Sequence, residues 1–292
     1  VGSQVREFDP VTGQVVRTFT PFPGFGGKVV TATADLNGDG IPDLVFGAGA
    51  GGGPHVKVFD GVSGAEIASF YAFAASFTGG VNVAAGDVNG DGRADLVVAA
   101  GPGGGPHVKV FDGLSGAEIA SFYAYNAAFS GGVSVAVGDL DGDGRAEIVT
   151  GAGAGGGPHV KAFDGITLTE VRSFYAYSPL FTGGVSVAVG DLDGDGRAEI
   201  VTGAGAGGSP HVMAFNGQTL TEVQSFFAYD PAFTGGVDVA VRDVNRDGFA
   251  DIVTGAGPGG GPHVKAFDGR TLDVLDSFFA DDSSFLGGVY VA

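Results

Sequence analysis

One interval, 52 residues, governs this chain of 292. A segment of the form D-x-[DN]-x-D-G begins at Asp35, Asp87, Asp139, Asp191 and Asp243. P-H-V begins at Pro54, Pro106, Pro158, Pro210 and Pro262, and F-x-G-G-V at Phe77, Phe129, Phe181, Phe233 and Phe285. One interval further back stands the variant Phe25-Gly26-Gly27-Lys28-Val29. A unit copied about 5.6 times at this period means a solenoid or a propeller.

The third copy shows the content of a unit. Val133 to Val137 alternates and is rich in valine, so it reads as a strand. The acidic segment from Asp139 follows, then a second strand over Ala146 to Thr150. A glycine-rich turn, Gly151 to Gly157, leads to a third over His159 to Phe163. Asp164-Gly165 signals a tight hairpin, and Glu170 to Tyr177 is the fourth strand. No apolar pattern of helical period is long enough for a helix. Four short strands per unit predict an all-β chain, a β-propeller of four-stranded antiparallel blades. Coils of a stacked β-solenoid usually repeat at half this length or less, which disfavours that alternative. Strand one is built from Val, Ala, Ser and Gly, small enough for the crowded axis. Strand four carries Phe174, Tyr175 and Tyr177, bulky enough for the wider rim.

The acidic segment carries the chemistry. In the third copy, positions 1, 3, 5 and 9 are Asp139, Asp141, Asp143 and Glu147, and position 6 is Gly144. Hard oxygen donors at odd positions, curling round one point, are what Ca²⁺ requires, with a backbone carbonyl at position 7, here Arg145. The other candidate sets are Asp35, Asn37, Asp39, Ile41 and Asp43; Asp87, Asn89, Asp91, Arg93 and Asp95; Asp191, Asp193, Asp195, Arg197 and Glu199; and Asp243, Asn245, Asp247, Phe249 and Asp251. The varied side chain at position 7 fits a backbone ligand. These are not EF-hands, because position 12 is Phe46, Val98, Thr150, Thr202 or Thr254 rather than Glu, and strands flank the loop.

Charge supports a cation. The chain has 33 acidic and 14 basic residues, a net −19. Seventeen of the acids stand at the ligand positions, which leaves 16 against the 14 bases. Packing such carboxylates together is unfavourable without a counter-ion. The expectation is five Ca²⁺, one per complete unit. An acidic loop capped by its own turns is the bland alternative, and five copies in register make it the weaker one. The same acidity argues against nucleic acid as a partner. The absence of Cys excludes disulfides, and no apolar run reaches the length of a membrane-spanning helix.

At these residues the chain resembles the FG-GAP repeat family, the unit of the integrin alpha-subunit propeller and of many bacterial secreted proteins. The resemblance covers all five complete units. It implies that the acidic loop binds Ca²⁺ between strands one and two of a blade, and that the protein is extracellular, secreted or at the cell surface. There are departures. The copies read Gly47-Ala48-Gly49 where the family has Gly-Ala-Pro, and Arg246 stands where the other loops have Gly. Five loops exceed the usual integrin number. No motif here matches the integrin partner sites.

The five histidines, His55, His107, His159, His211 and His263, all open strand three. Equivalent positions in different blades lie too far apart to share an ion, so each is expected to hydrogen-bond the neighbouring glycine-rich backbone. The glycine-rich run lacks the Gly-Lys-Ser/Thr ending of a phosphate loop and is a turn. Lys57, Lys109, Lys161 and Lys265 share the histidine face, where the stem packs and the amine finds an acid or water. Tyrosines such as Tyr71, Tyr123, Tyr125, Tyr175, Tyr177 and Tyr229 read as inter-blade packing, with sugar stacking as the alternative. After strand four the copies diverge: Ala74-Ala75-Ser76, Asn126-Ala127-Ala128, Ser178-Pro179-Leu180, Asp230-Pro231-Ala232 and Asp282-Ser283-Ser284. Recognition is carried by such loops more often than by the frame.

An active site in a repeat protein should break the repeat with an unmatched set of reactive groups, and no such set is present. The reading is therefore a non-enzymatic, calcium-stabilised propeller that binds protein or carbohydrate, an adhesion module. The alternative is a structural module that packs with itself or with the rest of a larger complex. One domain is expected over 1–292, with a partial blade in 1–26, five units in 27–286 and a first strand in 287–292. Residues 4–9 match strand three and Gln14 to Phe22 match strand four, while Val1-Gly2 align with the end of the preceding turn. The expected strand count is 23, one short of six blades. A six-bladed ring would then be closed by a composite blade from both chain ends, its missing strand supplied from outside this sequence or by a partner.

Overall fold

The computed structural model describes residues 3–9, 12–113 and 115–292. Val1-Gly2, aligned above with a turn, lie outside the described residues. Twenty-two strands are found among the described residues. β1 (Val5–Phe8) and β2 (Val15–Phe19) form a two-stranded sheet. Five four-stranded antiparallel sheets follow, each a meander in chain order. The first holds β3 (Val29–Ala34), β4 (Asp43–Ala48), β5 (His55–Phe59) and β6 (Glu66–Tyr71). Blade three holds Val133–Gly138, Glu147–Ala152, His159–Phe163 and Glu170–Tyr175, close to the segments predicted.

Burial along a blade follows its place in the ring. Every residue of blade three's second strand is buried, because neighbouring blades cover both faces. The fourth strand alternates exposed and half-buried, as a rim strand should. Four of the hydrophobic clusters lie between blades rather than within one. Val149, Val160 and Ala162 of blade three pack with Val185, Val187 and Ile200 of blade four, for example. Each such side chain contributes about 1.5–3 kcal/mol when fully buried. Strand one of every blade, with residues 290–292, lines a central channel.

Asp164-Gly165 does not make a two-residue hairpin. The connection runs from Asp164 to Thr169, closed by Leu168 N donating to Asp164 O at 2.9 Å and Asp164 N donating to Thr169 O at 3.0 Å. Gly165 is required for another reason. A Cβ there would come within 2.6 Å of Ala146 O, at the strand-two entrance of its own blade, and 2.5 Å of Val88 O, in the preceding blade.

Five complete blades are present as expected, but the composite sixth blade is not formed: only the two-stranded sheet stands there, and the last segment, 287–292, is not a strand. Without a second strand beside it, that segment has no ladder to join. It is held by single bonds, Val289 N to Ala256 O at 2.9 Å and Val291 N to Asp238 Oδ2 at 3.1 Å. The sheet β1–β2 lies between blades five and one. On one side Phe8 meets Phe278 at 4.9 Å and Arg6 donates to Ala280 O at 2.6 Å. On the other, Phe19 meets Phe59 at 6.0 Å and Arg17 donates to Gly61 O at 2.8 Å. These contacts repeat those between complete blades, where Phe226 meets Phe267 at 4.8 Å and Arg172 donates to Gly217 O at 3.1 Å.

Candidate metal centres

The loop between strands one and two places the acids. Gly142 and Gly144 adopt positive φ, 83° and 87°, and turn the chain around the side chain of Asp139. Its two oxygens accept Gly142 N at 2.6 Å and Gly144 N at 2.8 Å. Asp143 N donates to Asp141 Oδ1 at 3.2 Å and Arg145 N to Asp143 Oδ1 at 2.8 Å. One carboxylate oxygen from each of Asp139, Asp141 and Asp143 lies within 4.8 Å of the others, and Asp191, Asp193 and Asp195 repeat the cluster. In the remaining loops Asn37, Asn89 and Asn245 take position 3. There Asn37 Nδ2 donates to Asp43 Oδ1 at 3.2 Å and Asn89 Nδ2 to Asp95 Oδ1 at 3.2 Å.

Position 9 is the buried floor of the loop. Asp43, Asp95, Glu147, Glu199 and Asp251 expose 5 % or less. Asp43 accepts Leu36 N at 3.1 Å and Gly61 N at 3.0 Å, so the short side chain is held from two sides. The longer Glu147 accepts Leu140 N at 2.8 Å. Burial pushes the Glu147 carboxyl up to about 7, against that hydrogen bond and helped by the charges of Asp141, Asp139 and Asp143. Glu199 is pushed up to about 7 for the same causes. An all-oxygen set with this much uncompensated negative charge fits a hard divalent cation.

Position 7 carries more than a carbonyl. Arg197 Nε donates to Asp141 O at 3.2 Å in the preceding blade's loop. A Cβ on Gly90 would meet the Arg145 side chain at 2.9 Å, and one on Gly38 the Arg93 guanidinium at 2.7 Å. Phe249 covers Gly194 in the same way. In the second to fifth loops the side chain at position 7 therefore lies against the loop before it, so its identity matters to packing even where the proposed ligand is the backbone carbonyl. Backbone bonds add to this contact: Ala146 N to Asp87 O at 2.9 Å, Ala198 N to Asp139 O at 2.7 Å and Ala250 N to Asp191 O at 3.0 Å.

An FG-GAP-like repeat model matches residues 35–98, 87–150 and 191–254, more than half of the chain. The chain belongs to the FG-GAP-like repeat family. Integrin alpha-8 of Gallus gallus is 43 % identical over 75 residues, 25 % of this chain and 7 % of that protein. Integrin alpha-V of Gallus gallus is 36 % identical over 75 residues, with the same shares. This chain thus spans a small fraction of the curated relatives it matches. Among solved structures, the WD40 repeats of RRP9 align with a TM-score of 0.55 at 15 % identity, over 94 % of this chain and 74 % of that one. The exotype rhamnogalacturonan lyase YesX aligns with a TM-score of 0.50 at 16 % identity, over 92 % and 56 %. At such identities the likeness shows the propeller fold alone.

On the opposite face of the FG-GAP units, each histidine is capped. His159 Nε2 lies 2.9 Å from Ser173 Oγ, and its ring stacks on Tyr175 at 4.5 Å. The same pair recurs in every blade, as His55 with Ser69 and His263 with Ser277. The partner is strand four, not the glycine-rich backbone that was expected. Burial holds all five imidazoles below their ordinary pKa. Lys57, Lys109 and Lys161 pair with Glu66, Glu118 and Glu170 at 2.6, 2.7 and 2.6 Å.

The tyrosines divide into two groups. Tyr71, Tyr123 and Tyr175 end strand four and are half-exposed. Tyr125, Tyr177 and Tyr229 reach into the next blade. Tyr177 Oη donates to His211 O at 2.8 Å and lies 3.1 Å from Thr202 Oγ1. Tyr125 does the same with His159 and Thr150, and Tyr229 with His263 and Thr254. Where the aromatic is Phe73 or Phe22, the residue facing it is Val98 or Phe46. This matched exchange, Tyr with Thr and Phe with an apolar partner, is written in the sequence at position 12 of the loops, but across two units rather than within one. Two repeat units have to be compared one step out of register to see it.

No helix of the described residues is long and apolar enough to cross a membrane.

Proposed function

We propose that this chain is a non-enzymatic, calcium-stabilised extracellular propeller that binds a protein or carbohydrate ligand. The observation that carries the reading is the acidic loop, repeated once per blade over a buried acid, with clustered carboxylates in the loops that begin at Asp139 and Asp191. Asp139, Asp141, Asp143 and Glu147, and their counterparts in the other four loops, are the proposed ligands of five Ca²⁺. Family membership and the integrin alpha relatives support a binding role at the cell surface. A non-catalytic reading is supported by the repetition of the polar face, where each histidine has the same serine and aromatic partners in each blade. The variable loops after strand four present the exposed side chains, Leu180 at 91 % among them.

A protein and glycan pull-down with immobilised chain, with calcium and then with chelator, tests this. Calcium-dependent capture that is lost when the loop Ser178-Pro179-Leu180 is exchanged for Asn126-Ala127-Ala128 supports it. A turnover activity on a captured ligand contradicts it.

A second reading, a structural module, is favoured by the incomplete sheet. β1–β2 supply strands three and four of a sixth sector and residues 287–292 its inner edge, so one added strand would complete a six-bladed ring. Addition of a peptide with the sequence of residues 191–204 should raise the melting temperature if that slot accepts a strand. No change would remove this reading.

A further inference from the structure

The five acidic loops are not equal. In the loops that begin at Asp139 and Asp191, position 3 is Asp and position 9 is Glu. In those that begin at Asp35, Asp87 and Asp243, Asn at position 3 goes with Asp at position 9. No copy mixes the two pairs, so the two positions change together. The first kind of loop holds four carboxylates and the second kind three.

The hydrogen bonds separate the same two kinds. In every loop Oδ1 of position 3 accepts the N–H of position 5, as Asn89 does from Asp91 N at 2.8 Å and Asp193 from Asp195 N at 3.1 Å. The other terminal atom differs. In the Asn loops it is a donor, spent on the loop's own acids: Asn37 Nδ2 on Asp43, Asn89 Nδ2 on Asp95 and Asn245 Nδ2 on Asp247, each at 3.2 Å. In Asp141 and Asp193 it is a second oxygen, and no hydrogen bond reaches it among the described residues. Position 9 follows. The short acids also accept the hairpin glycine, Gly61 N on Asp43 at 3.0 Å, Gly113 N on Asp95 at 3.3 Å and Gly269 N on Asp251 at 3.2 Å. Glu147 accepts Leu140 N at 2.8 Å, and Glu199 accepts Leu192 N at 3.0 Å and Asn216 Nδ2 at 3.4 Å. One kind of loop thus engages its own acids, while the other leaves them open, clustered within 4.8 Å.

Resting on the calcium reading of the loops, we propose that the ring holds two classes of cation site, set by the paired residues at positions 3 and 9. The loops at Asp139 and Asp191 bind Ca²⁺ first, and the three Asn loops fill at higher concentration. Affinity at oxygen sites is tuned over decades by the charge count of the ligands. A fourth carboxylate adds attraction at contact distance, and no amide has to be pulled from an acid before the cation enters. The two tight loops belong to successive blades, so the first ions order blades three and four ahead of the rest.

Native mass spectrometry over a series of calcium buffers tests the order of filling. The parent protein should pause at two ions and gain three more at free calcium roughly tenfold or more higher. Asp141→Asn with Glu147→Asp should lower the first plateau to one ion and leave the final count at five. Asn89→Asp with Asp95→Glu should raise the first plateau to three. Each exchange recreates a pair of side chains already present in another blade. Five ions bound with one affinity, or a first plateau that neither exchange moves, would overturn the two classes and leave the calcium sites themselves standing. A parent protein that takes up no calcium would overturn the calcium reading and the two classes together. If one exchanged protein fails to fold, the other exchange and the plateau of the parent protein still decide.

Discussion

Arg197 and Asp141 belong to successive blades, and the guanidinium of one donates to the backbone carbonyl of the other at 3.2 Å. The bond places a cation against a loop that itself carries three clustered carboxylates. It ties the order of one candidate calcium loop to the position of the next. Arg197→Ala should cost about 0.5–1.5 kcal/mol, the value of a typical hydrogen bond. Hydrogen exchange should rise first at Gly142 and Asp143, in the neighbouring blade. A rise confined to residues 191–199 would show that the strap carries no coupling.

The Tyr177 hydroxyl and Thr202 form a pair that can be tested as a pair. Tyr177→Phe removes the donor to His211 O, and Thr202→Val removes a hydroxyl that also reaches Met213 O at 3.2 Å. Each single change should cost about 1–3 kcal/mol, because buried polar partners are left unmatched. The double change recreates the pairing of Phe73 with Val98 and should cost less than the sum. Additive losses in urea denaturation would contradict the matched-pair account.

Arg246 takes φ of 64° where Gly194 takes 81°. A residue with a Cβ pays about 1–2 kcal/mol in that region. Arg246→Gly should therefore stabilise blade five slightly, offset by the greater freedom of glycine in the unfolded chain. A clear loss of stability would mean that the Arg246 side chain has a role the backbone does not reveal.

Glu147 ties the proposed calcium site to pH. Its folded pKa lies near 7, above the ordinary 4.5 of the unfolded chain. The folded state therefore binds the extra proton, and this stability is present below about 4.5 and lost as pH rises through about 7. In chelator, Glu147→Gln should melt higher than the parent protein at pH 8, and the gap should close towards pH 4.5. In calcium the order at pH 8 should reverse, because a proposed carboxylate ligand has been removed. The same order in both buffers would remove Glu147 from the proposed ligands.

Much of this was legible in the sequence, because the repeat showed each pattern five times. Strand one was recognisable from Val133 to Val137, and the loop from the spacing of Asp139, Asp141, Asp143 and Glu147. What escaped depends on the next blade. The strap by Arg197, the Tyr177–Thr202 pair and the close approach that requires Gly165 all join residues about 20–80 positions apart along the chain. The last segment reads as strand one by pattern, yet a ladder needs a neighbour, and pattern alone does not supply one.

Counting the ions tests the account most directly. Native mass spectrometry with a calcium titration should show five Ca²⁺ per chain, and thermal unfolding should fall steeply in excess chelator. At tenfold over Kd each site adds about 1.4 kcal/mol, so five sites reach roughly 7 kcal/mol, comparable to the stability of a whole domain. Double substitution of Asp141 and Asp143 by Ala should reduce the count to four. A chain that binds no calcium, with a melting temperature unchanged by chelator, would contradict the account.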